Sequence, residues 1–218
     1  NLLNKFKLAN LDKITKFIFK QSKSAVETSI KSLPTGTYLN TLKLDGFDKP
    51  IILKATLKIK EKSISVDLSG SSPAINRGIN CPLNYTIAYA SYGIKAAICP
   101  DIPNNAASLA AIQIKAPPGL IVSAENPSPV TARHVVGQAL PDLVLGCLSK
   151  ALPGKILAES AGALWTISIS GAGEKRFNSL NVALGGMGAR PESDGLSTTA
   201  FPSGVGAVSI EVAEAAAP

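Results

Sequence analysis

Four polar clusters hold the side chains with which this sequence could do chemistry. The first is Asp67-Leu68-Ser69-Gly70-Ser71-Ser72-Pro73, at the end of an alternating apolar stretch. A carboxylate and hydroxyls carried on a Gly/Ser turn at the end of a rigid strand can orient a small polar ligand. The same residues can also simply close the strand, with Asp67 accepting from backbone N–H groups. A polar loop through Asn76, Gly78, Asn80 and Pro82 is the second cluster, and Asp101, Asn104 and Asn105 form the third, read either as a site or as an Asx-stabilised loop. The fourth is Thr131-Ala132-Arg133-His134, at a predicted helix start. There Arg133 and His134 either bond local backbone or face a cavity and contact substrate or a partner subunit. Asp142, beside Pro141, is a further candidate or a solvated helix residue.

Several chemistries are excluded by what is missing. There is no G-x-x-x-x-G-K-[ST] phosphate loop, and Gly185-Gly186-Met187-Gly188-Ala189-Arg190 is not G-x-G-x-x-G. No G-x-S-x-G elbow occurs, and a self-contained Ser/His/acid triad would have to use His134, the one histidine. Cys81, Cys99 and Cys147 lie far apart in apolar sequence, so they read as reduced buried thiols of a cytoplasmic protein rather than zinc ligands. The sequon Asn84-Tyr85-Thr86 is then accidental.

The net charge of +7 suggests a polyanion partner until its distribution is considered. Residues 1–62 hold 13 lysines and 5 acidic residues, whereas the remainder is close to neutral. These lysines alternate with apolar residues, as in Asn4-Lys5-Phe6-Lys7-Leu8, and no stacking aromatics accompany them. They read as a solvated face, not a nucleic-acid surface. No run of 18 apolar residues is present, so no membrane span is expected.

The elements that must position these clusters follow from periodicity. Leu11, Ile14, Phe17, Ile18, Ala25, Val26 and Ile30 keep helical spacing, with a break expected near Gln21-Ser22-Lys23-Ser24. Pro34 and Gly36 end that helix. Strict alternation at Ile51, Leu53, Ala55, Leu57 and Ile59, then at Ile64, Val66 and Leu68, predicts two strands joined tightly at Glu61-Lys62. A helix is predicted over 85–98, with Gly93 permitting close packing, and a short strand over 111–115. Ile121-Val122 reads as another strand, and residues 131–152 as a helix kinked by Pro141. Strands follow over 163–170, 180–184 and 209–212. Without a strict βαβ rhythm, the expected class is α+β, with mixed or antiparallel sheets and packed helices.

Taken in order, six segments resemble the hydantoinase B/oxoprolinase family. They are the Asp67–Pro73 motif, Gly78-Ile79-Asn80-Cys81-Pro82, and Asp101-Ile102-Pro103-Asn104-Asn105-Ala106. Ala116-Pro117-Pro118-Gly119 follows, then Asn126-Pro127-Ser128-Pro129-Val130-Thr131-Ala132-Arg133-His134. The last is Gly185-Gly186-Met187-Gly188-Ala189-Arg190-Pro191 with Asp194-Gly195-Leu196-Ser197. The sequence departs from the pattern at Ala107, where the family usually has Gly; a positive φ there would be strained by Cβ.

The resemblance implies the B-type subunit of an ATP-dependent cyclic-amide hydrolase, of N-methylhydantoinase or 5-oxoprolinase type. It places ATP on a partner A-type subunit and a divalent metal on an upstream segment outside this chain. Asp67, Ser69, Gly70, Asn80, Asn105, Arg133 and His134 are then expected to orient the substrate rather than supply a nucleophile. Gly185, Gly186, Gly188, Asp194 and Gly195 are expected to form a structural loop. The alternatives are an acetone- or acetophenone-type carboxylase subunit acting on a ketone, and a non-catalytic assembly segment, which the alanines at 106, 107, 110 and 111 favour. The chain is expected to be an internal piece of a larger subunit: residues 1–62 a basic helical segment and first strand continuing a domain upstream, residues 63–218 a core truncated at its end.

Overall fold

A computed structural model describes residues 2–6, 10–162, 164–172, 176–197 and 199. In chain order the elements are α1 (Leu2–Lys5), α2 (Asp12–Lys31), β1 (Gly36–Leu44), β2 (Ile51–Lys60), β3 (Ser63–Asp67) and α3 (Leu83–Ile98). Then come α4 (Ala106–Leu109), β4 (Ile112–Lys115), α5 (His134–Gly137), α6 (Ala139–Ala151), β5 (Leu164–Ala172) and β6 (Arg176–Leu184). The class is α+β, as expected. The strand read at 209–212 lies outside the described residues.

The alternation in β2 builds the main sheet. Ile51, Leu53, Ala55, Leu57 and Ile59 are all buried on one face, while Lys54, Lys58 and Lys60 point to solvent. A strand of this pattern must be covered on one side only. The sheet runs β1-β2-β3-β4, antiparallel except for the parallel β3–β4 pair, which α3 connects. Helices α3 and α6 and the C-terminal half of α2 supply the cover, through Ala90 and Ile94, Leu140, Val144 and Leu148, and Val26 and Ile30. Each fully buried Leu or Ile contributes about 2 kcal/mol relative to an exposed one. The turn at Glu61-Lys62 joins β2 to β3, and the same core runs across it from Val26 to Ala151.

Three local expectations are corrected. Helix α2 is continuous through Gln21-Ser22-Lys23-Ser24, which contains neither Pro nor Gly, and Ser22 is buried there. Ile121-Val122 is not a strand: both residues are buried in a turn, where Ile121 N–H donates to Ser72 O at 2.9 Å. The long second helix is two helices, α5 and α6, meeting at Gln138. Pro141 explains the position of the break. It cannot donate to the carbonyl four residues back, at Gly137, but it is tolerated in the first turn of a new helix.

Close approach of α3 and α6 depends on Gly93, where a Cβ would fall 2.8 Å from Pro141 Cα. The β5–β6 hairpin pairs in full register from Leu164↔Leu184 to Ala172↔Arg176 and leaves Trp165, Ile167, Ile169 and Phe177 exposed. Among the described residues no helix is long and apolar enough to cross a membrane.

Candidate functional site

The Asp67 motif acts first as strand chemistry. Asp67 Oδ1 accepts from Ser69 N–H at 2.9 Å and from Ser69 Oγ–H at 2.6 Å, and these bonds hold its carboxyl below the usual range. Gly70 follows at φ +83°, so the chain turns back beside β2. Ser71 and Ser72 then extend the ladder beyond the end of β3: their hydroxyls accept from Lys54 N–H at 3.0 Å and Ile52 N–H at 2.9 Å.

Asn80, fully buried, joins two loops. Its Oδ1 accepts from Ile75 N–H at 2.9 Å, and its Nδ2 lies 2.8 Å from each of Ile75 O, Arg77 O and Pro129 O. Both ends of the amide are occupied by backbone. Asn105 is the N-cap of α4, accepting from Ala107 N–H and Ser108 N–H and donating to Ser22 Oγ at 2.8 Å. Ala107 lies inside this helix, where right-handed geometry accepts a Cβ. Asn104, with Ile102 O, takes the ammonium of buried Lys95 at 2.8 and 2.5 Å, stitching the 99–105 loop to α3.

The structure brings the loop around Asn80 against the 129–133 segment. Ala132 N–H donates to Gly78 O at 2.7 Å, and Cys81 Sγ lies 3.2 Å from Arg133 O. Arg133 sits over the ring of Tyr85, 5.4 Å from its centroid, and Tyr85 stacks on Tyr89 at 4.4 Å. Ile121 bridges this group to the end of the Asp67 turn, accepting from Cys81 N–H at 2.7 Å and donating to Ser72 O at 2.9 Å, whereas no direct hydrogen bond between described residues joins it to Asn105.

His134 is half-buried and lines a cavity of about 520 Å³ shared with Lys43, Asp45, Gln138, Ala161 and Trp165. The end of β1, the α5–α6 junction and the start of β5 each supply one wall. Of the residues expected to bind substrate, only His134 reaches this cavity, with Arg133 adjacent on the chain. Gln138, Lys43, Asp45 and Trp165 were not anticipated. Trp165 is the chain's one tryptophan, which was the signal the sequence did carry, and the residue is 68% exposed.

Asp142 and the glycine loop border the next cavity along α6, with Arg190, Glu159 and Ser149. Asp142 is 5% exposed, and burial pushes its carboxyl up. The segment at 158–161 is bonded to the glycine loop through Ala158 N–H to Ala189 O and Ala161 N–H to Gly186 O. Glycine is required at that seam, since a Cβ at Gly188 would fall 2.0 Å from Ala158 O, and one at Gly195 2.1 Å from Met187 O. Gly185 precedes this seam. Arg190 Nε–H donates to Asp194 O at 3.2 Å. Among the described residues no three His, Cys, Asp or Glu side chains are grouped as a metal ion would require.

The model of the hydantoinase B/oxoprolinase family matches residues 1–218. A candidate D-/L-hydantoinase B chain from Pseudomonas sp. (strain NS671) is 27% identical over 210 residues, covering 89% of this chain and 35% of that protein. The crystal structure of the ATP-dependent caprolactamase from Pseudomonas jessenii superposes with a TM-score of 0.80 at 19% identity, over 90% of this chain and 36% of that one. Nucleotide-free acetone carboxylase gives a TM-score of 0.69 at 15% identity, over 82% and 27%. At these identities the two structures establish the fold alone, and the chain spans about a third of the Pseudomonas hydantoinase relative. The chain belongs to the hydantoinase B/oxoprolinase family.

Proposed function

We propose that this chain is part of the B-type subunit of a cytoplasmic, ATP-dependent cyclic-amide hydrolase, of N-methylhydantoinase or 5-oxoprolinase type. The observation that carries the reading is the family match along all 218 residues. In this reading an A-type partner holds ATP and activates the ring-amide oxygen, and hydrolysis is completed on the B side. This reading places a divalent metal on an upstream segment of the complete subunit, and no step on this chain passes through it.

The chain's own residues bind and position. His134 presents an imidazole to the cavity, Arg133 precedes it on the chain with its guanidinium over Tyr85, and Asn80 ties the loop before them through Pro129 O. Asp67, Ser69, Gly70 and Asn105 shape the frame, and the glycine loop supports the wall next to α6.

The test is to co-express the complete subunit with its A-type partner and measure ATP hydrolysis driven by hydantoin or 5-oxoproline. His134→Gln is expected to raise KM at least tenfold. Absence of any amide-dependent ATP turnover defeats the hydrolase reading. Likeness to acetone carboxylase favours one other outcome, ketone carboxylation, which would show as ATP use dependent on bicarbonate and a ketone.

A further inference from the structure

Helix α3 packs one face on α6 through Gly93, and along another face lies a cavity of about 630 Å³, within the range of small-molecule sites. Ile87, Ser91 and Lys95 stand four residues apart on α3, so their side chains follow one another along one wall. Ile102, Leu109 and Ile112 make the rest of the lining largely apolar, and no carboxylate takes part in it.

Two polar groups of this lining have unused capacity. Lys95 is 5% exposed, and its ammonium donates to Ile102 O and Asn104 Oδ1, both from residues that line the cavity. An ammonium has three hydrogens, so one remains. The two ion pairs among the described residues, Lys23–Glu27 and Lys31–Glu61, leave Lys95 without a counter-charge. A charge so far withdrawn from water is costly unless an anion or further hydrogen bonds meet it. Ser91, also 5% exposed, makes no side-chain hydrogen bond among the described residues. Among those residues the enclosed side-chain atoms without a partner are Gln138 Nε2 and Asp142 Oδ1. The Ser91 hydroxyl is not one of them. It therefore keeps contact with open space, which for so buried a residue is the cavity it lines.

Two donors one helical turn apart suit a single carboxylate, with one oxygen for the ammonium and one for the hydroxyl. The apolar lining suits an aliphatic chain and offers nothing to solvate the second charge of a phosphate. We propose that this cavity binds an aliphatic monocarboxylate, held at its head by Lys95 and Ser91 and along its chain by Ile87, Ile102, Leu109 and Ile112. The cavity shares no residue with the one at His134, and the proposal does not depend on the hydrolase reading.

Equilibrium dialysis of the complete subunit against radiolabelled hexanoate is the test, with hexan-1-ol and inorganic phosphate as competitors. Saturable binding is expected. Hexanol should displace hexanoate at least tenfold less effectively than unlabelled hexanoate does, and phosphate not at all. Ser91→Ala removes no side-chain hydrogen bond of the unliganded fold, so it should melt like wild type and bind hexanoate severalfold more weakly. Lys95→Met keeps the aliphatic stem and removes the charge, and should weaken binding at least tenfold. Should Lys95→Met fail to fold, Ser91→Ala decides alone.

Absence of saturable binding, equal displacement by hexanol, or displacement by phosphate would each overturn the proposal. Wild-type affinity in folded Ser91→Ala or Lys95→Met would do the same, since hexanoate would then be bound elsewhere.

Discussion

Asp142 and Ser160 fasten the segment after α6 back onto that helix: Asp142 Oδ2 accepts from Ser160 N–H at 3.2 Å and from Ser160 Oγ–H at 2.7 Å. The other oxygen, Oδ1, is buried and has no partner. Burial therefore outweighs the two bonds, and the carboxyl sits above its ordinary value of 3.8. For an acid raised in the folded state, the native protein holds the proton more tightly than the unfolded chain. Its contribution to stability is fully present below the unfolded pKa and is lost as pH rises through the folded one. The window opens at about pH 3.8 and extends to the raised value. Asp142→Asn keeps an acceptor for Ser160 and removes the ionisation. Its thermal midpoint should decline less than the wild type's across that window, and parallel profiles would refute the assignment.

Asn80 yields a stability prediction of a different kind. Replacement by Ala removes the partner of Ile75 N–H and of three carbonyls that hold the 73–80 and 126–131 loops together. A cost of about 3 kcal/mol is expected, or roughly 10 °C in thermal midpoint for a chain of this size. Asn80→Asp should be comparably damaging, because a carboxylate has no hydrogens for those carbonyls. If it behaves like wild type, the amide does not hold the loops.

The three thiols should be silent in the native state. Cys81, Cys99 and Cys147 are all buried, and burial pushes Cys81 up to about 12 and Cys147 to about 11. Thiolate is the reactive form, so a thiol reagent at pH 8 should modify none of them within minutes, and all three after denaturation. Rapid labelling of Cys81 in the native protein would show that the loops tied by Asn80 open readily.

How much of this was legible follows from where the physical signal lies. Strands β2 and β3 carry five and two alternating apolar residues, and their burial is decided by that alternation alone. Strand β1 was not read, because Thr37, Asn40, Thr41 and Lys43 dilute its pattern and most of its side chains stay partly exposed. Helix α4 is one turn long, and only its cap, Asn105, announced it. Pro141 correctly signalled an interruption, but the break falls at Gln138, just past Gly137, whose carbonyl Pro141 cannot bond. The cavity was the least legible part. Lys43 and Trp165 come from β1 and β5, more than a hundred residues apart, and only tertiary packing of α6 on β1 brings them together. His134 was identified by its type; Gln138, an unremarkable glutamine in a predicted helix, could be noticed only once its amide was found without a partner.

The glycine loop provides the last prediction. A Cβ at Gly188 would meet backbone, the carbonyl of Ala158, and backbone cannot swing aside as a side-chain tip can. Gly188→Ala must therefore separate the 158–161 segment from the loop, at about 1–3 kcal/mol. The loss is local. The Ala158 and Ala161 amides, which donate to Ala189 O and Gly186 O, should exchange with solvent at least tenfold faster. Amides in β2, which lies in the buried core, should be far less affected. Glu192→Ala, in the exposed turn of the same loop, should leave both sets unchanged. Uniform acceleration across the two sets in Gly188→Ala would mean that the segment and the core open together, and the seam would then have no separate role.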